Sequence, residues 1–281
     1  MLAGLVSPAP GISGAGGVLF PGGGAGAEVE AARGGAVVGL SFLLGLLLAG
    51  VWGGVAQTPE PPAPPLAGTL HYVAHWRLLP AGTASLSWTE QGGQRQIHFT
   101  ANGSELVDLF YPVHDNMVSN YDPATFCTTS AVNNTLEGRR HRLTDIQFEP
   151  EQHRLILDET NPAAHPPAHK HDVKPIPGCV ADMLTALDYI RAQRLHVGDS
   201  YSFRVNEGGK TSDVRCVVDL HETISTPAGR FSAVRVRPEL MSGGDKKLGQ
   251  LWVWFSDDAR HLPVEIQTRA FWGTLTAQLT K

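Results

Sequence analysis

"TLHYVAHWRLLPAGTASLSWTE", residues 69–90, decides the fold class. Leu70, Tyr72, Ala74, Trp76 and Leu78 alternate with mostly polar residues. After the turn residues "PAG", Ala84, Leu86 and Trp88 alternate with Thr83, Ser85 and Ser87. A side-chain period of two belongs to strands. Two such runs around a short turn form a hairpin with one buried and one wet face. The same period recurs in "RQIHFTAN", "MVSNYD", "HRLTDIQFE", "RLILDE", "SYSFRVN", "KTSDVRCVVDLHE", "GRFSAVRVRPE", "LGQLWVWFS", "LPVEIQTRAF" and "TLTAQLT". Turn-forming stretches such as "QGGQ", "NEGG", "STPAG" and "SDDARH" separate several of these runs. The expectation over 67–281 is one all-β domain, a curled antiparallel sheet or barrel.

One stretch departs from that period. In "IPGCVADMLTALDYIR", Val180, Met183, Leu184, Leu187 and Ile190 recur at helical spacing, which predicts an amphipathic helix over 180–192. Pro177 and Gly178 stop it from running further back. Asp182 in the first turn and Arg191 in the last complement the helix dipole. A single such helix in a β protein covers an opening of the sheet. Its stripe turns Leu184 and Leu187 to the sheet interior, and Asp188 points to another, solvated face.

Three cysteines occur, Cys127, Cys179 and Cys216. Alternation in "SDVRCVVDL" places Cys216 with Val214 and Val218, as a buried strand residue. Cys127 and Cys179 stand at irregular points and are left to pair, stapling the helix start to the region around Cys127.

The chain has 281 residues, 42% of them hydrophobic, which is enough for a sizeable core. Its formal net charge of −5 argues against nucleic acid as a partner. Residues 1–35 are rich in Gly and Ala and read as disordered. The uncharged run 36–56, "AVVGLSFLLGLLLAGVWGGVA", follows Arg33 and ends on small residues before Gln57. It reads as a signal-peptide apolar region with its cleavage region, or as a membrane anchor. Either reading exports the rest of the chain. The proline-rich stretch 57–66 is an extended linker.

The blocks "FYPVHDNMVSNYDPATF", "EGRRHRLTDIQFE", "PIPGCVADMLTALDYIR", "TPAGRFSAVRVRPE", "LWVWFSDDARHLPVEI" and "WGTLTAQL", in this order, resemble the bacterial exported family called domain of unknown function 3108. The resemblance spans about the whole stretch 68–281. It implies an envelope-located, β-rich single domain and carries over neither an activity nor catalytic residues.

Side chains with chemical potential are few. "HPPAHKHD" gathers His165, His169, His171 and Asp172, a ligand set that suits zinc. Proline breaks any regular spacing there, so the stretch reads as a polar loop and no metal is expected. Asp257 and Asp258 read as turn residues and "NEGGK" as a hairpin. No catalytic residue and no cofactor are expected. Arg139, Arg140 and Arg142 are candidates to hold an anion. Trp76, Trp88, Trp252 and Trp254, with Leu184 and Leu187 of the helix, are candidates to line an apolar cavity. The functional expectation is a non-enzymatic envelope protein that binds an apolar, lipid-like ligand or another envelope component. Its rivals are an interaction protein with a filled core and, behind both, a metal-assisted hydrolase. Contact with a membrane is expected only through an uncleaved segment 36–56.

Overall fold

A computed structural model describes residues 68–241, 250–270 and 273–280. The expectations for residues 1–66 lie outside the described residues. Fourteen strands form one antiparallel sheet. They are β1 (Gly68–Trp76), β2 (Leu79–Gln91), β3 (Gln94–Gly103), β4 (Val113–Asp122), β5 (Cys127–Glu137), β6 (Arg140–Glu149), β7 (Arg154–Asn161) and β8 (Ala168–Pro175), followed by β9 (Ser200–Glu207), β10 (Lys210–Thr226), β11 (Gly229–Leu240), β12 (Gln250–Ser256), β13 (Pro263–Ala270) and β14 (Gly273–Leu279). A one-turn helix α1 (Glu105–Asp108) precedes β4, and helix α2 (Met183–Arg191) separates β8 from β9.

The sheet runs in the order β8-β7-β6-β5-β4-β3-β2-β1-β14-β13-β12-β11-β10-β9. Each half is a meander of sequential neighbours, and β1 joins them by pairing with β14, Tyr72 opposite Leu279. The sheet therefore has two edges, β8 and β9. Residues 176–199, which include α2, connect one edge to the other. The all-β expectation holds, as an open curled sheet.

Main chain between β8 and α2 laces the halves together. The amide of Thr128, in β5, donates to the carbonyl of Val180 at 3.0 Å. The amide of Ala181 donates to Arg204 at 3.0 Å, and its carbonyl accepts from Asn206 at 2.8 Å. Ala181 thus forms a parallel bridge to Val205 of β9. The β9–β10 turn also approaches the other half. Gly209, at φ 80°, lies so close that a β-carbon there would come within 3.0 Å of Leu157 Cδ1. Only glycine fits both that angle and that space.

Two stretches that the alternation missed are strands. "CTTSAVNNTLE" is β5, and Cys127 is its first residue rather than an irregular point. The His-rich stretch expected as a loop supplies β8, an edge strand with six of its eight residues exposed. Edge strands rich in Lys and His lose the apolar half of the pattern.

Helix α2 starts one turn later than predicted, capped by Asp182, whose carboxylate accepts from the Thr185 amide at 2.8 Å. Cys127 and Cys179 are disulfide-bonded, with Cα atoms 5.1 Å apart, and Cys216 is free and buried. Burial pushes the Cys216 thiol up to about 12. Alkylation followed by non-reducing peptide mass spectrometry should therefore find the 127–179 pair and a Cys216 that reacts only on unfolding. The bridge closes a loop of 52 residues. Replacing either cysteine by Ser should cost roughly 4 kcal/mol at most. Replacing both should cost little more, because either change removes the same cross-link.

Candidate functional site

Three clusters of buried apolar residues lie within the curled sheet. The largest draws on strands of both halves and includes Tyr72, Leu86, Trp88, Phe99, Tyr121 and Trp254. Leu184 belongs to it, and Leu187 and Trp252 pack against it from partly buried positions. A second cluster sets Val214, Cys216, Val218 and Phe255 around Ile190 of α2. The third packs Ile146, Phe148, Leu155 and Leu157 against Ile176 and Val180.

Five of the six expected cavity-lining residues thus meet in one core cluster. Trp88 and Trp254 are buried, and the Trp254 indole donates to Glu222 at 2.8 Å. Trp76 lies apart, half-exposed at the end of β1, with the Arg77 guanidinium 5.8 Å from its ring centroid.

Helix α2 is buried on a second side, where sequence reasoning expected solvent. Thr185, Asp188 and Arg191, spaced by three, are all completely buried. Asp188 is the hub. One carboxylate oxygen accepts from Arg191 Nε at 2.6 Å. The other accepts from Arg95 Nη1 of β3 at 3.1 Å and from the Tyr121 hydroxyl of β4. Arg191 also donates through Nη1 to the Arg260 carbonyl at 3.2 Å, and its own carbonyl accepts from His261 Nδ1 at 2.8 Å. At the helix start, Thr185 Oγ1 lies 3.0 Å from both Ser119 Oγ of β4 and Thr128 Oγ1 of β5. Stacked and edge-on rings link Tyr121, Phe126, Tyr189 and Phe203 on a further side.

The charges in this network are fixed by their partners. Burial works against the Arg95 charge. Its hydrogen bond to Glu90 and the neighbouring Tyr121 and Asp188 outweigh that and hold it well above the usual guanidinium range. Burial, and then the Asp188 carboxylate, push the Tyr121 phenol far up, so it remains a neutral donor. The arrangement is an ion cluster inside the core, in which Asp188, Arg191, Arg95 and Tyr121 each bond a protein partner.

The other candidates do not converge. In β6, alternation puts Arg140 and Arg142 on one face and His141 on the other, and Arg142 pairs with Glu159 at 3.2 Å. Arg139 and Arg140 are exposed at the β5–β6 turn. In β8, His169 and His171 point one way, to Thr160 and Asp158 at 2.9 and 2.7 Å. Asp172 points the other way, to Lys170 and Lys174. A strand cannot bring those three side chains onto one ion, and among the described residues no group of three such ligands converges. Asp258 serves the turn, accepting from the Arg260 amide at 2.9 Å.

The outer face of β3–β6 carries an open polar depression of about 280 Å³, lined in part by Asn102, His114, Asn134 and His141. Its histidines are engaged with neighbouring amides: His114 with Asn102 at 3.2 Å and His141 with Asn134 at 3.0 Å.

The chain matches the family model described as protein of unknown function (DUF3108) over residues 71–280, most of its length. It therefore belongs to that family. No curated protein matches. Among solved structures, a β-barrel-like protein of domain of unknown function DUF1849 from Brucella abortus is similar at 8% identity and TM-score 0.50, covering 76% of this chain and 95% of that one. An exported protein with a YmcC-like fold from Bacteroides fragilis aligns at 9% identity and TM-score 0.29, covering 78% of this chain and 97% of that one. The first likeness supports the β-barrel-like fold and nothing beyond it.

Two outcomes are expected from the buried charges. Asp188→Ala removes the carboxylate that pairs Arg191 inside the core, while Arg95 keeps its bond to Glu90, and truncating one partner of a buried pair costs about 3–5 kcal/mol. Urea denaturation should show that loss, whereas a solvated Asp188 would cost almost nothing. Glu207, at the end of β9, is the second case. Burial lifts its carboxyl from 4.5 to about 7. The stability this group contributes is complete below about 4.5 and is lost as pH rises through about 7. Glu207→Gln should therefore stabilise the fold at pH 8 and flatten that slope. Each tenfold difference in proton affinity between the folded and unfolded chain is worth about 1.4 kcal/mol.

Proposed function

We propose that this member of the DUF3108 family is a non-enzymatic interaction protein of the bacterial envelope, exported before it folds, that acts through its surface. One observation carries this reading. The space that would hold a lipid-like ligand is occupied by α2, by the large apolar cluster and by the Asp188 ion network. A carrier of acyl chains needs an apolar cavity of several hundred Å³. Here five of the six residues that would line it pack into one cluster. The filled core thus favours the interaction reading over the carrier reading. The disulfide and the apolar run 36–56 support export, since such bridges persist in oxidising compartments.

A fluorescent apolar dye tests the choice. The folded protein should not enhance N-phenylnaphthylamine emission. Leu184→Ala should lower stability by roughly 2–5 kcal/mol without creating dye binding in the folded state. Saturable dye binding by the folded wild type, or a lipid that co-purifies in stoichiometric amount, would restore the carrier.

A further inference from the structure

In an antiparallel meander, successive turns fall at alternate ends of the sheet. The disulfide, the lacing at Val180–Ala181 and the turns 92–93, 123–126 and 257–262 lie at one end, here called the laced end. The turns 77–78, 104–112, 138–139 and 208–209 lie at the other, the rim.

The rim presents its apolar side chains outward. Leu78 is 92% exposed, Phe110 79%, Leu109 74%, Leu106 61% and Leu79 55%. Leu106, Leu109 and Phe110 share one side of a single helical turn by their spacing, and that side faces water. The two carrying loops are tied together. Ser104 donates its amide to the Ala81 carbonyl at 2.9 Å and its hydroxyl to the Pro80 carbonyl at 3.1 Å. The second loop is also pinned on its far side, where the Gly138 amide donates to Pro112 at 2.8 Å. A β-carbon at Gly138, φ 63°, would come within 2.5 Å of Tyr111 Cε2, so the Tyr111 ring rests on that turn.

Two further properties decide what this rim meets. The amides of Asp108, Leu109, Phe110 and Tyr111 all donate to carbonyls within 104–107, and the Val107 amide donates to Ser104 Oγ. The amides of residues 107–111 are thus paired within the loop, which lowers the cost of taking its tip out of water. The exposed charges on the β1–β2, β3–β4 and β5–β6 turns are mostly cationic: Arg77, Arg139 and Arg140, against Glu105. Separate apolar tips on tied loops backed by cations complement an anionic head-group layer.

We propose that the rim docks on the surface of an anionic phospholipid bilayer, with Leu78, Leu106, Leu109 and Phe110 entering the head-group region. This rests on the reading that the protein acts through its surface, and it names the partner. Contact made this way does not depend on segment 36–56.

The test uses the full chain with one added cysteine, since Cys216 is buried and the others are bridged. Leu109→Cys and, at the laced end, Val197→Cys are each labelled with an environment-sensitive fluorophore. Both positions are exposed, and Leu106→Cys serves as a repeat at the rim. The proteins are mixed with phosphatidylcholine vesicles with and without phosphatidylglycerol. The label at 109 should shift to the blue and be quenched by nitroxide lipids, more strongly with phosphatidylglycerol, while the label at 197 stays water-like. Arg139→Ala with Arg140→Ala should weaken the anionic-lipid response several-fold, as surface-adsorbed cations do. Equal behaviour of the two labels, or no shift at 109 and 106, overturns the proposal. A blue shift at 109 that grows with protein concentration in the absence of vesicles makes a second copy the occupant and also overturns it. Fluorescent lipid that leaves the vesicles and co-elutes with the protein would instead defeat the filled-interior reading and leave docking standing.

Discussion

Two residues of main chain, Val180 and Ala181, hold the architecture together. The sheet alone would be a ribbon of fourteen strands with free edges at β8 and β9. By accepting from Thr128 and bridging to Val205, this stretch turns the ribbon into an enclosure. It also fixes where α2 begins, because Asp182 follows at once and caps the helix. The Cys127–Cys179 bridge lies beside the same seam and limits how far it can open. Peptide hydrogen bonds are individually modest, about 1 kcal/mol net. Here their value is geometric, since without them α2 has no enclosure to fill.

Once enclosed, the helix must satisfy partners all round. Its apolar stripe meets the large core cluster, and its polar stripe meets β3, β4 and β5. A charged residue survives in such a place only if paired. Asp188 is therefore shared by two guanidinium groups and a phenol, each from a different element. The cluster acts as a key as much as a brace. A helix rotated or shifted by one residue would carry Asp188 and Arg191 away from Arg95, Tyr121 and the Arg260 carbonyl, so the network discriminates against alternative packings of an otherwise greasy rod.

The sequence was informative where one face of an element met water. Leu70, Tyr72, Leu86 and Trp88 announced the first hairpin, and Leu184 and Leu187 announced the inward stripe of α2. Legibility failed where that contrast vanished. Thr185, Asp188 and Arg191 are polar by type and buried in fact, and periodicity cannot separate a solvated stripe from one pressed against a polar wall. Strand β8 is exposed throughout much of its length and reads like a loop for the opposite reason. Trp88, Trp252 and Trp254 gather on the inside while Trp76 does not, and a set of large inward residues does not reveal whether they surround a space or fill it. The outward stripe of Leu106, Leu109 and Phe110 was present in the sequence. The strand template had no use for a single helical turn with its apolar side reversed.

The pairing of β1 with β14 carries a consequence for how the chain is made. Tyr72 lies opposite Leu279, so the first strand waits for the last before it gains its second neighbour. A chain synthesised at about 5–20 residues per second leaves β1 half-paired for roughly ten to forty seconds. During that time each half can zip locally as a meander, but the seam joining them has nothing to close upon. Long-range pairings of this kind fold slowly. On the export route proposed above, such slowness is an advantage: the topology itself postpones the finished fold until the last strand has arrived.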